Sequence, residues 1–447
     1  MLLLTNAHVV DYLSGIDGKR DILIDNGKII DISEEIKAPP CETVDCAGLA
    51  AIPGIFDMHV HARDPGQTHK EDLLTCSEAA AAGGVTGFLC MPNTVPVTDN
   101  EETLRYIAEK AKSAPVKIFT SCAVTKGQEG KELCDYEALK NYTGQVSRIT
   151  NFSDNAWLKG GGTASAGALV AATDDGKPVK NARVMAEAVI KANMAGLTVI
   201  SHCEDLDIAC GGLVNAGKVS TELGVNGIHR SSENIVTSRE IDLARDLCEH
   251  VHIAHVSTKE AAEKIRIAKA SGVKVTCETA PHYFSLTEDR LYLKDADYRM
   301  NPPLREQRDV DAIIEAIINK TVDCIITDHA PHSPDEKEDF YTAPNGVIGL
   351  ETSLAATLTF LYHTGKINLS DIVRLMCVNP RKILGINGGS LEKGEAADIT
   401  LFDPDEEWIA EPDKFKSRSR NSCFKNMKLK GRVKYTIIDG KIVYKDK

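Results

Sequence analysis

The chain predicts an α/β fold: a TIM-like (β/α)8 barrel carrying a small β-sandwich formed by both termini. Three observations predict it. Eight short apolar runs, most followed by a helical pattern, fill the middle of the sequence, which is the signature of repeated strand–helix units. Both ends instead alternate short β-like stretches with turns. Histidines and aspartates able to hold a cation recur where the apolar runs stop, and in a barrel of this kind the C-terminal strand ends are the face that meets a substrate.

At the N-terminus, Leu2 to Leu4, Asp21 to Ile24 and Lys28 to Ile32 read as strands, with Asp25-Asn26-Gly27 as a hairpin turn. The C-terminus repeats this texture in Ala397 to Phe402, Arg432 to Ile438 and Lys441 to Tyr444, with Asp439-Gly440 as the turn. The two ends are therefore expected to complete one accessory unit, residues 1–53 and 390–447, around a catalytic barrel of residues 54–389.

The barrel runs are Ile55 to His61, Thr86 to Met91, Lys117 to Val124, Ala168 to Thr173, Thr198 to His202, His252 to Val256, Lys274 to Glu278 and Cys324 to Asp328. Helices are expected at Asp72 to Ala82 before Gly83-Gly84, Glu101 to Lys112, Ala182 to Met194 before Gly196, and Lys259 to Ala270 before Gly272. Asn141 to Gly167 breaks the repeat. It is polar and Gly-rich, and its Lys159-Gly160-Gly161-Gly162-Thr163 lacks the signature of a phosphate-binding loop, so an inserted mobile loop is the reading.

Composition narrows the function. With 447 residues the chain can bury a large core, and 65 acidic against 52 basic residues give a formal charge of -13 that repels phosphate backbones and anionic membranes. The locally basic Lys414 to Lys434 is mixed with Ser and Asn and reads as a solvated loop. The 13 cysteines are scattered without a paired motif, as reduced thiols in a cytoplasmic protein would be. Neither a signal peptide nor a run long enough for a membrane span is evident, so a soluble intracellular protein is expected.

His59 and His61 stand two apart on one strand, so both imidazoles point to one side and can grip a cation. His202 and His255, ending strands five and six, suit a second cation, and a carboxylate from Asp174-Asp175, ending strand four between them, could bridge the two. Asp328 ends the last strand, where a carboxylate beside an activated water could both bind metal and shuttle a proton. A divalent cation activates water near neutral pH and polarises a carbonyl, so a metal-dependent hydrolase is the chemistry predicted. His8, His69, His229, His250 and His363 lie on surface-like or unplaced segments and are not expected to be ligands.

The stretch His59-Val60-His61-Ala62-Arg63-Asp64-Pro65-Gly66, followed by His69-Lys70-Glu71-Asp72, Met91-Pro92-Asn93-Thr94, Asn301-Pro302-Pro303-Leu304-Arg305 and Thr327-Asp328-His329-Ala330-Pro331-His332, resembles the dihydroorotases of the amidohydrolase superfamily, long-chain bacterial type. The likeness runs over nearly the whole chain. It implies that His59 and His61 hold one zinc and His202 and His255 the other, one or two ions per chain. It also implies that Asp175, rather than Asp174, bridges them, and that Asp328 is a metal-binding general acid and base. Arg63, Asn93, Asn301 and His332 would grip the substrate's carboxylate and ring, and the backbone of Asn345-Gly346 would read the ring amide.

The implied reaction is the reversible closure of N-carbamoyl-L-aspartate to L-dihydroorotate in pyrimidine biosynthesis. A homodimer is the expectation, and association with aspartate transcarbamoylase is left open. Dihydroorotate carries a carboxylate, which a guanidinium such as that of Arg63 can bind bidentately.

Two rival readings fit the residues less well. Hydantoinases, dihydropyrimidinases and allantoinases bridge their metals with a lysine carbamate, whereas this chain has Thr173-Asp174-Asp175-Gly176 at that strand end, and Lys159 is a poor substitute. A non-catalytic scaffold would have lost ligands, and here all six are present. Three departures stand out: Asp64 replaces the commoner Glu, the insertion precedes the bridging position, and Gly227-Ile228-His229-Arg230 lacks the usual Pro.

Overall fold

The structure, a computed structural model, describes residues 1–142 and 166–446. The Gly-rich run with Lys159 lies outside the described residues. Eight parallel strands form the barrel in sequence order: Ile55–Val60, Val85–Cys90, Lys117–Cys122, Leu169–Ala172, Thr198–Ser201, Val251–Ile253, Val275–Thr279 and Cys324–Ile325. Every one of the eight expected runs is a strand, and six of the strands are shorter than their runs. Site residues such as His61, His255 and Asp328 therefore sit just past the strand ends.

Closure is made by few bonds. Val60 bridges His329, and the His61 amide donates to the His329 carbonyl at 2.8 Å. Beside them the buried Asp57 carboxylate accepts from the Thr327 and His59 amides, so a side chain takes over where the eighth strand is too short to pair. The strands are apolar on both faces because helices cover one and the barrel axis the other. Phe56, Met58, Leu89, Phe119, Val170 and Ile200 pack in one buried cluster at the axis.

The helices start where local chemistry dictates. Leu73–Ala82 begins at Asp72, whose carboxylate accepts from the amides of Leu74 and Thr75 while Thr75 returns a bond, a capping box worth ~1 kcal/mol. Ala182–Met194 and Lys259–Ala270 have the bounds expected, capped by Asn181 and Thr258.

The strands of both termini join as anticipated. Ala50–Pro53 pairs parallel with Leu2–Asp11 and antiparallel with Ile399–Ile409, which splices the two ends of the chain together. In its hydrogen bonding the expected sandwich is one continuous sheet of eight strands, with Leu4, Val9, Ile22, Ile399 and Leu401 in an apolar core of its own. All 13 cysteines are free thiols, and no described helix is long and apolar enough to cross a membrane.

Candidate metal centre and substrate clamp

The predicted ligands converge from five strand ends. His59 Nε2, His61 Nε2 and Asp328 form one group of mutually close ligand atoms, and His59, Asp175 and His255 form another. Asp175 joins them. Its Oδ1 lies 3.4 Å from His59 Nε2, 3.4 Å from His202 Nδ1 and 3.6 Å from His255 Nε2, while Oδ2 lies 3.4 Å from His61 Nε2. Asp328 Oδ1 is 3.2 Å from His61 Nε2 and 3.7 Å from His59 Nε2.

Asp174 points elsewhere. Its carboxylate accepts from the amides of Val124 and Thr125 and from the Thr125 hydroxyl, tying the fourth strand's loop to the third's. Of the two acids that the sequence left as candidates, only Asp175 reaches the histidines.

Three of the four imidazoles are oriented by an oxygen on their outer nitrogen. His59 Nδ1 donates to Glu278 Oε1 at 2.6 Å, His61 Nδ1 to Asn93 Oδ1 at 2.8 Å, and His202 Nε2 to Glu204 Oε2 at 3.1 Å. Each bond fixes the tautomer that leaves the inner nitrogen lone pair facing the centre, the arrangement by which proteins prepare histidines for a cation. His202 Nδ1 and His255 Nε2 approach to 2.7 Å on that inner side.

Burial alone would depress the His59 pKa, but the Asp175 and Glu278 carboxylates outweigh it and raise it well above the usual range. Burial would likewise raise Asp328, yet its bond to His61 and the nearby His59 hold it at about 2. Carboxylates so placed make a field that favours positive charge. His59 Nε2 and Asp175 Oδ1 are buried without hydrogen-bond partners, which costs ~1–3 kcal/mol each unless something else satisfies them. The donor set of imidazole and carboxylate fits a divalent cation of the zinc, cobalt or manganese kind.

Beside this cluster lies a second group. The buried Arg63 donates through Nε to the Pro331 carbonyl at 3.1 Å, and its Nη2 is 3.3 Å from His332 Nε2. Burial lowers its pKa to about 10, and among the described residues it has no carboxylate within ion-pair distance. His332 Nε2 also faces the Asn345 carbonyl at 2.9 Å, while Lys70, paired with Glu336, approaches Nδ1. Gly346 has φ +134 and its amide donates to the Arg299 carbonyl, and a Cβ there would stand 2.8 Å from Ala330 Cβ, so only glycine fits. Asn301 donates to Glu204 at 2.9 Å.

Three of these residues, Arg63, His255 and Asp328, hold positive φ without being glycine, the backbone cost expected where side chains must be aimed rather than merely packed. All the residues expected at the site thus lie in or within one hydrogen bond of the two groups. Asn93, expected on the substrate, is used by His61. Glu278 and Glu204 were missed. Glu278 ends the seventh apolar run as Asp328 ends the eighth, so the same strand-end signal marked it. His8, His69 and His229 are exposed, as expected, but His250 is not on the surface: it is buried below the site and bonded to Thr276.

The Amidohydrolase family model matches residues 50–443. Dihydroorotase of Geobacter metallireducens is 45% identical over 447 residues, covering 99% of each chain, and that of Acetivibrio thermocellus is 44% identical over 448, covering 100% of this chain and 99% of its own. Among solved structures, an L-hydantoinase (dihydropyrimidinase) from Arthrobacter aurescens superposes with a TM-score of 0.83 at 23% identity over 99% of this chain and 96% of that one, a likeness of fold. The chain belongs to the amidohydrolase family, and the two relatives that it matches over their full length at 44–45% identity are dihydroorotases.

Proposed function

We propose that the chain is a dihydroorotase, interconverting N-carbamoyl-L-aspartate and L-dihydroorotate in pyrimidine biosynthesis. The observation that carries this reading is a buried guanidinium, Arg63, with no described carboxylate within ion-pair distance, at the edge of a cluster of four histidines and two aspartates. A buried cation not paired directly with an acid is complementary to an anionic ligand.

In this reading His59, His61 and Asp328 would hold one zinc ion, and His202 and His255 a second, with Asp175 a ligand available to either. When bound, such a pair makes water nucleophilic near neutral pH and polarises the amide carbonyl. Arg63 takes the substrate carboxylate, and Asn93, Asn301 and His332 grip the carboxylate and ring beside it. Asn301 and the Asn345-Gly346 backbone orient the ring. Asp328 accepts the proton of the attacking water and delivers it to the ring nitrogen as the carbon–nitrogen bond breaks, opening the ring to carbamoyl aspartate. In the synthetic direction the nitrogen gives its proton to Asp328 and water leaves. A homodimer belongs to the same reading, and sedimentation would test it.

The test is direct. Purified protein should form dihydroorotate from carbamoyl aspartate and open it again, while dihydrouracil and hydantoin, which offer Arg63 no carboxylate, turn over poorly. Preference for those neutral rings would sink the reading in favour of a hydantoinase-like enzyme.

A further inference from the structure

We infer that Lys337 is a positioning residue for substrate binding: its ammonium, capped by backbone carbonyls, holds the 344–346 loop in the shape that receives the ring. The inference rests on the dihydroorotase reading, because that reading gives the loop its task.

Lys337 ends the short turn Pro334–Lys337, and its side chain is buried. Nζ donates to the Pro344 carbonyl at 2.9 Å and the Gly346 carbonyl at 3.0 Å, with the Arg299 carbonyl at 3.5 Å. No described carboxylate lies within ion-pair distance. An ammonium has three protons and no lone pair, so it can face three carbonyls at once. Taking it out of water is costly, and the carbonyl dipoles have to make up for that.

The loop is tied on its other sides as well. The Gly346 amide donates to the Arg299 carbonyl, and Asn421 Nδ2 donates to the carbonyls of Gly346 and Ala330 while its Oδ1 accepts from the His332 amide. With the carbonyls on either side of Asn345 turned to Lys337, the Asn345 carbonyl is left to face His332 Nε2, the nitrogen that neighbours Arg63. Asn345 Oδ1 is buried without a hydrogen-bond partner. Lys337 touches neither a proposed metal ligand nor the reacting atoms. Its effect should therefore fall on how well substrate is held and not on how fast it reacts.

The experiment compares the metal-loaded enzyme with Lys337→Met, which keeps the stem and removes the donors, and Lys337→Arg, which restores charge and donors. In Lys337→Met the KM for dihydroorotate should rise by roughly tenfold or more, the consequence of losing a charge-assisted hydrogen bond. The kcat should stay within about twofold, since no group acting on the transition state is lost. Metal content should match the parent, and amide exchange of 344–347 should quicken. Lys337→Arg should recover much of the KM. Should Lys337→Met not fold, the Arg variant and Asn421→Ala, which loosens the same loop from the opposite side, carry the same KM-against-kcat readout. An unchanged KM, or a fall in kcat at unchanged KM, overturns the inference. An inactive parent enzyme would overturn the dihydroorotase reading instead, so the two failures are distinguishable.

Discussion

The ligand cluster and the substrate clamp sit side by side and are built on opposite plans. In the cluster, oxygens of Glu278, Asn93 and Glu204 aim the imidazoles inward and Asp175 reaches all four, so negative charge is in excess at the centre. In the clamp the excess is positive: Arg63, Lys70 and Lys337 are buried, and among the described residues Glu336 is the one carboxylate within ion-pair distance of them. The first region is shaped to receive a cation and the second an anion. Because the two adjoin, with Asp328 and Asp175 acting electrostatically on Arg63, a ligand joining a polarisable carbonyl to a carboxylate fits both at once. Neither region alone specifies the reaction.

If the division is real, substitutions on either side should fail differently. The largest effect belongs to Asp328→Ala. A positioned acid–base group contributes ~10²–10⁴-fold, so kcat should fall by on the order of a thousandfold while the melting temperature holds and dihydroorotate still binds. Substantial turnover by this variant would remove its assigned role. Arg63→Lys keeps the charge and loses the fork; KM for dihydroorotate should rise on the order of a hundredfold, with kcat changed far less. Equal falls in kcat for dihydroorotate and for a neutral ring would show that Arg63 belongs to the chemistry and not to the clamp. Glu278→Gln touches no ligand atom directly, yet second-sphere partners of histidine ligands carry ~10–100-fold in metal affinity. Titration with a chelator should find the metal held that much more weakly, and retention equal to the parent would reduce Glu278 to a packing role.

The two regions also differ in how legible they were. The eight strands and four of the helices could be read because apolar runs and caps such as Asp72 and Thr258 are local signals. The cluster could be read because strand ends of a barrel point to one rim, which turns spacing along the chain into proximity. What escaped was set by direction, not position. Asp174 and Asp175 are neighbours in sequence, and only the turn after Ala172 decides which of them faces the histidines. Asn93 stands in a motif that suggests substrate, and that its amide oxygen also aims His61 is set by three-dimensional placement. One departure from the family pattern also finds a reason only in three dimensions: Asp64 is buried against the Leu73 amide, Tyr106 and Lys110. Lys337 could not be found at all, because its partners are backbone carbonyls, which no residue type announces.

The smallest effect expected sharpens the comparison most, since it separates loop order from global stability. Burial, with Arg299 adding to it and Asp297 and Asp295 opposing, lowers the Lys337 pKa to about 8. Those two aspartates are themselves paired with Lys425, and the Cys423 thiol also faces the amine. As pH rises through 8 the folded amine loses a proton that the unfolded chain keeps until about 10.5. Over that window the unfolded state binds more protons, so this group's contribution to stability rises with pH. Its hold on the loop moves the other way, because a neutral amine turns a lone pair toward one of the carbonyls. KM for dihydroorotate should therefore climb a few-fold between pH 7 and 9.5 while the melting temperature does not fall on this account. Lys337→Arg, charged throughout, should show a flat KM over the same range. If parent and Arg variant rise in parallel, the titrating group lies elsewhere and the loop is not held by this ammonium.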